Sequence, residues 1–235
     1  MQYFGGKTRI APKLAGFIQP FISDAYVEPF IGSAAMMVRI SAPIRIGSDI
    51  NAALISMWRA LAAGWIPPEN ISEAEYAAIR AKADSSDPLT AFAGVGCSFS
   101  GKWFGGYARN KRGDNYAAAC AHSLLKKMTM LKGVDWRCGD YRQIEYPPGA
   151  VIYCDPPYQG TTGYVGAGGE FNWPLFWSFC REKAKLGHKV FISEYSAPSD
   201  FEACLTIETN LEIRNSANER MARVEKLYTP NRHKM

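Results

Sequence analysis

The tetrapeptide Asp155-Pro156-Pro157-Tyr158 stands directly behind the apolar, β-rich run Val151-Ile152-Tyr153-Cys154, and it limits what this chain can fold into. A short continuous apolar run of this kind is a strand buried on both faces, as parallel sheets require. Neither proline can donate to a sheet ladder, so strand pairing must stop at Cys154. The residue before each proline is held extended. A stiff segment therefore leaves the strand end carrying a carboxylate, a carbonyl and an aromatic ring. Taken alone, it is either a strand-terminating turn or a site.

The pattern around it favours an α/β sheet. Strands are expected at Ala25–Phe30, Ile44–Ser48, Val134–Cys138, Val151–Cys154 and Lys189–Ser193, with helices at Ser33–Ile40, Asn51–Ala63 and between the last two strands, ahead of Gly187. The tail, LEIRN…RVEKLY, reads as two strands joined by a polar loop. From Pro67 to Gly133 the texture changes to proline-rich joints, a helical patch at Glu73–Ala83, the glycine-rich GKWFGGYARNKRGDN and a helix at Tyr116–Met130. The 235 residues suffice for one α/β domain, formed by 1–63 and 134–235, with an insertion at 64–133.

Composition excludes several classes. The most apolar tract, Tyr26–Ile46, is interrupted by Glu28, Pro29, Arg39, Pro43 and Arg45, so no transmembrane span is expected, and MQYFGGKTRI does not read as a signal peptide. Six cysteines without a C-x-x-C pair and three scattered histidines supply no familiar zinc site, so no metal is expected, and the cytoplasm is the expected location. The charge is unevenly placed. Between Cys97 and Gly133 seven Lys and Arg face one Asp, a balance of +6, against +5 for the whole chain. Phe99, Trp103, Phe104, Tyr107 and Tyr116 are interleaved with those charges, a pattern that suits nucleic acid.

Ligands of α/β sheets lie beyond the C-terminal strand ends, and four acids fall there: Glu28, Asp49, Asp140 and Asp155. Asp49 lies about twenty residues beyond the first strand's turn, where a ribose-binding acid sits in Rossmann-like units. EPFIGSAAMM lacks the G-x-G-x-x-G pattern, and Glu28 would repel a pyrophosphate, so a dinucleotide is disfavoured. A ligand with a ribose and a cationic portion fits better. Gly6-Lys7-Thr8 is not a P-loop, because no strand precedes it, and Gly166–Gly169 follows no strand and reads as a loop near the site.

Together these motifs resemble the Dam-like (D12 class, alpha-group) DNA adenine-N6 methyltransferases, which use S-adenosylmethionine. YFGGKTRI resembles the group's leading F/W-x-G-G-K motif, YVEPFIGSAAM its EPFxGxG motif, Arg45–Asn51 its ribose-acid motif, and CDPPY its catalytic tetrapeptide. The resemblance implies a Rossmann-like methyltransferase fold, with a mostly parallel twisted sheet, helices on both faces and a small target-recognition insertion. It implies duplex DNA as partner, with no membrane and no obligate protein partner, in a bacterial or phage-infected cell. GKWFGGYARNKRG is similar to phage-encoded members. Asp155, Pro156, Pro157 and Tyr158 are the catalytic residues it implies. Around the cofactor it implies Tyr3, Phe4 and Lys7 near the methionine and adenine portions, Glu28 at the ammonium or sulfonium end, Pro29, Phe30 and Gly32 in the adjoining turn, Asp49 on the ribose, Asp140 on the adenine amine, and Asp155. Lys102, Trp103, Tyr107, Arg109, Lys111 and Arg112 are the expected DNA contacts. Ala34 departs from the group, standing where a second glycine is usual. RNA or protein-glutamine methylation, and a DNA-binding relative without activity, are the competing readings.

Overall fold

The computed structural model describes residue 3 and residues 5–159, 171–214 and 220–231. Its frame is a seven-stranded sheet: β1 Ala25–Glu28, β2 Ile44–Asp49, β3 Asp135–Cys138, β4 Val151–Cys154, β5 Lys189–Glu194, β6 Phe201–Arg214 and β7 Arg220–Pro230. The spatial order is β3-β2-β1-β4-β5-β7-β6. β1 to β5 run parallel, while β7 lies antiparallel to both β5 and β6. The 3-2-1-4-5 core is that of a Rossmann-like doubly wound sheet. Strand order reverses between β1 and β4, and a crevice opens at such a switch point.

Side chains of β4 show why its sequence has no polar alternation. Val151 and Tyr153 join one core and Ile152 and Cys154 the other, all of them buried. The first core is completed by helices α1 (Ala11–Ile18) and α2 (Ala52–Ala62). Asn51 caps α2 by accepting from the Leu54 amide, the side-chain cap that orphan N-terminal amides need. Trp58 of α2 stacks on Trp136 of β3 at 5.2 Å and donates its indole N–H to the Gly32 carbonyl. That one side chain ties helix, sheet and the turn after β1 together.

Residues 64–133 contribute α3 (Glu73–Lys82), the short α4 (Pro88–Ala91) and α5 (Tyr116–Met128). Their buried residues Ile71, Tyr76, Phe92, Cys120 and Leu124 are continuous with the first core. A Cβ on Gly96 would come within 2.3 Å of Cys120 Sγ, so only glycine lets this turn meet α5. The second core lies under α6 (Trp173–Lys185), whose Phe176, Phe179 and Cys180 pack on Ile152, Cys154 and Ile192.

Two expectations need correction. Ser33–Ile40 is not a helix: Gly32 and Ala34 take left-handed backbone (φ 44° and 55°), and only Met37–Arg39 makes a single helical turn. Left-handed residues cannot continue a right-handed helix. The second correction is α1, unread in the sequence because Pro12 and Pro20 closely bracket its eight residues, though Pro12 falls in the first turn where proline is tolerated. Phe4, the Gly166–Gly169 run and the loop joining the last two strands lie outside the described residues.

Candidate active site

At the C-terminal end of β4, Asp155 receives Lys7 Nζ at 2.8 Å. Lys7 reaches there from the other end of the chain. Its carbonyl accepts from the Ile10 and Ala11 amides and so starts α1, which aims the side chain inward, only 8% exposed. The same ammonium lies 3.5 Å from Glu225 Oε1 on β7 and 4.2 Å above the Tyr158 ring. Tyr158 donates its hydroxyl to Glu225 and meets Tyr195 edge-on at 4.6 Å. Glu194, at the end of β5, accepts from the Gln159 and Tyr195 amides. Every residue from Asp155 to Gln159 except the two prolines is thus held by a charged side chain, and the prolines are stiff by themselves.

Burial pushes the Asp155 carboxyl up to about 6, with Lys7 opposing the shift. Burial works against the Lys7 ammonium as well, yet Asp155 and Glu225 bind its proton strongly enough to leave its pKa raised. The pair is ionised at neutral pH.

Across the switch point, Glu28 is 2% exposed and accepts from the Tyr26 hydroxyl at 2.9 Å. Burial raises its pKa to about 8, against the Tyr26 bond; the Asp155 charge adds to the rise and Lys127 subtracts. Glu28 is therefore largely protonated at neutral pH. Pro29 is buried beside it. Phe30 packs against Tyr141 and Phe176 at 5.4 and 5.9 Å.

Asp49 ends β2 and organises the turn after β1. Its Oδ2 accepts from the Gly32 amide at 3.2 Å and its Oδ1 from Asn51 at 3.0 Å. Burial lifts it to about 6, against those amides. The ring of Tyr3 leans on Gly32, where a Cβ would stand 3.1 Å from Tyr3 Cε1. Ala34 occupies a glycine-like conformation, fully buried. Asp140 lies beside this group, because the Gly139 amide donates to the Asp49 carbonyl. Its carboxylate is bidentate with Arg142, 2.8 Å to each oxygen, which holds its pKa down. The structure therefore gathers Tyr3, Lys7, Glu28, Gly32, Asp49, Asp140 and Asp155 around one sheet edge.

Residues of the basic segment divide. Lys102, Arg109, Lys111 and Arg112 are exposed, with Arg109 paired to Glu73 at 3.1 Å. Tyr107 spends its hydroxyl on the Ile71 carbonyl at 2.7 Å and packs its ring on Tyr76. Trp103 is half-buried against Phe104. Lys127 turns inward instead: it donates to the Ser33 carbonyl at 2.5 Å, and burial lowers it to about 8. Sequence reasoning missed Lys127, Glu194, Tyr195 and Glu225. The signal for the two acids was a lone acid within an expected strand, in FISEY and RVEKL. Among the described residues, no group of three or more His, Cys, Asp or Glu is placed to hold a metal, and no helix is long and apolar enough to cross a membrane.

Residues 3–88 match the family model of the D12 class N6 adenine-specific DNA methyltransferases. No curated protein matches the chain. A solved structure of SMU.472 complexed with SAH is 14% identical, and the match covers 96% of this chain and 54% of that one with a TM-score of 0.37. The chain thus spans about half the length of that protein, and so distant a likeness adds no argument of its own.

The buried Glu28 makes stability depend on pH. Its proton is bound in the folded state up to about pH 8 but is lost near 4.5 when unfolded, so stability falls as pH rises through that window. Between about pH 6.5 and 8, Asp49 and Asp155 are already largely ionised in both states, and the fall carried by Glu28 is offset only in part by Lys127, whose lowered folded pKa of about 8 favours folding as pH rises. Urea unfolding of the unliganded protein is expected to show a loss of up to about 2 kcal/mol across that interval, and Glu28→Gln is expected to flatten it. An equal fall in the variant would assign the pH dependence elsewhere.

Proposed function

Starting from the place of residues 3–88 in the D12 class N6 adenine-specific DNA methyltransferase family, we propose that this chain transfers the methyl group of S-adenosylmethionine to the N6 amine of adenine in duplex DNA. The observation that carries this reading is the pinned Asp155–Tyr158 segment at the switch point, with its carboxylate held by Lys7.

The donor set fits the cofactor. The Asp49 carboxylate has about four acceptor sites and receives the Gly32, Asn51 and Ile50 amides, which leaves it capacity for a ribose hydroxyl. Glu28 is a buried acid that a neighbouring cation would ionise. The Tyr3 ring against Gly32 supplies an apolar wall, and Asp140 an acceptor for an exocyclic amine. When bound, S-adenosylmethionine supplies an electrophilic methyl group on sulfonium.

The exocyclic amine of adenine is a weak nucleophile because its lone pair is delocalised into the ring. The Asp155 carboxylate and the Pro156 carbonyl each accept one of its N–H bonds. Two acceptors draw the nitrogen towards tetrahedral geometry and localise the lone pair. Acceptors that do not move cost no reorganisation as the reaction proceeds, and Lys7 with the two prolines holds them still. The amine must leave the duplex to reach this edge, at a cost of about a few kcal/mol. Tyr158 offsets part of that cost by stacking on the base. Lys7 covers one face of the ring, so the base takes the other. The proton released from nitrogen passes first to Asp155, whose raised pKa suits it to accept one.

Tritium transfer from labelled S-adenosylmethionine tests the reading. Duplex DNA is expected to be labelled, with the label recovered as N6-methyladenine after digestion, while RNA and protein substrates stay unlabelled. Asp155→Ala is expected to abolish transfer, and Asp155→Asn to leave a trace, since one amide oxygen still accepts. Near wild-type turnover by Asp155→Ala would remove Asp155 from the reaction.

The exposed cations Lys102, Arg109, Lys111 and Arg112 are the proposed contacts to DNA. Trp103 and Tyr107 act from behind by holding the loop, given their packing. Each phosphate contact contributes about 0.9 to the slope of log affinity against log salt. The triple variant Arg109/Lys111/Arg112→Ala is expected to weaken duplex binding and flatten that slope while S-adenosylhomocysteine binds as before. An unchanged slope would place the reader elsewhere.

A further inference from the structure

The segment after β4 is held by a residue that comes from the far side of the sheet. We infer that Glu225 of β7 is a positioning residue of the candidate active site, fixing the Tyr158 ring by its hydroxyl and sharing Lys7 with Asp155. This rests on the proposed methyl transfer for its consequence, though not for its geometry.

Glu225 lies in the middle of β7, opposite Ile207 of β6 and 7% exposed. An uncompensated carboxylate at such a place is strongly disfavoured, and a hydrophobic residue would satisfy the sheet. Among the described residues its compensation comes from the site: the Tyr158 hydroxyl, and Lys7 Nζ at 3.5 Å. A phenyl ring alone would suffice for stacking. The hydroxyl of Tyr158 has its use in Glu225, which fixes where the far end of the ring points. Glu194 on the neighbouring β5 completes the arrangement from below, receiving the Gln159 amide just past the ring. Lys7 is then one cation between two carboxylates, Asp155 at 2.8 Å and Glu225 at 3.5 Å. Its place above the Tyr158 ring, at 4.2 Å, follows from being pulled both ways. Glu225 so links the orientation of the ring to the seat of the catalytic carboxylate.

Replacing Tyr158 by 3-fluorotyrosine lets fluorine NMR read the ring directly, whatever the enzyme acts on. One narrow resonance is expected for the otherwise unaltered protein and for Glu225→Gln, whose amide oxygen still accepts the hydroxyl. Glu225→Ala is expected to shift or broaden it. A resonance unchanged in Glu225→Ala would overturn the inference. The kinetic arm uses duplex DNA. Glu225→Ala and Tyr158→Phe are each expected to lower kcat about tenfold through misplacement of the base. The double variant is expected to be no worse than Glu225→Ala alone, because that substitution already removes the bond that Tyr158→Phe removes. Affinity for S-adenosylhomocysteine should not change. Losses that multiply in the double variant, or a loss of cofactor affinity instead of kcat, would overturn it. Tyr158→Phe breaks the bond from its other end and decides the kinetic arm even if Glu225→Ala does not fold. Should the wild-type protein methylate no DNA, the proposed function fails while the fluorine resonance still decides the role of Glu225.

Discussion

The ammonium of Lys7 sits 2.8 Å from Asp155, and most of the site's order can be traced to that contact. It joins residues 148 positions apart, fastening the segment ahead of α1 to the end of a central strand. Removing Lys7 would leave Asp155 and Glu225 without the cation they share, at a cost of several kcal/mol. With Glu225 as second acceptor, the pair also fixes the Tyr158 ring. The carboxylate at the sheet edge is held ionised in surroundings that otherwise favour its protonated form. A preorganised acceptor of this kind is what the proposed reaction asks of a protein, since the chemistry needs no covalent intermediate and draws its rate from positioning.

The second half of the site depends on a different device. Asp49 receives amides from both sides of the crevice-forming turns, and the left-handed Gly32 and Ala34 bend the chain around it. Ala34 adopts the backbone that glycine would take at lower cost, so the fold tolerates alanine here rather than rebuilding the turn. Lys127 adds a link across the molecule. It lies in residues 64–133, yet its ammonium holds the Ser33 carbonyl of the same turn. Residues 64–133 and the turn after β1 are therefore mechanically continuous, as their shared core also indicates.

The strand-end acids were legible because a parallel α/β sheet places its ligands at one edge, and Glu28, Asp49, Asp140 and Asp155 all ended expected strands. The five parallel strands were legible from their apolar runs. What could not be read was pairing across distance. Glu194 and Glu225 stand in strands where a lone acid is ordinarily read as facing solvent, and only strand order brings β7 beside β5 and against Lys7. Ser33–Ile40 has helical composition, but the backbone there answers to the Asp49 carboxylate rather than to propensity. The basic segment read as one surface, whereas burial divides it into exposed cations, packed aromatics and an inward lysine, a division set by tertiary packing and not by charge count.

Single-turnover methyl transfer to duplex DNA, followed from about pH 5 to 8 with saturating cofactor, tests the central role of the Lys7–Asp155 pair most directly. If the Asp155 carboxylate accepts from the amine, the rate should rise with pH, about tenfold per unit for a single ionisation, and level off above about pH 6, where Asp155 is ionised. In Lys7→Gln, with the opposing cation gone and burial and Glu225 still acting on Asp155, the bend should move to higher pH. A rate that is flat across this range, or a bend that stays in place when Lys7 is replaced, would contradict the account.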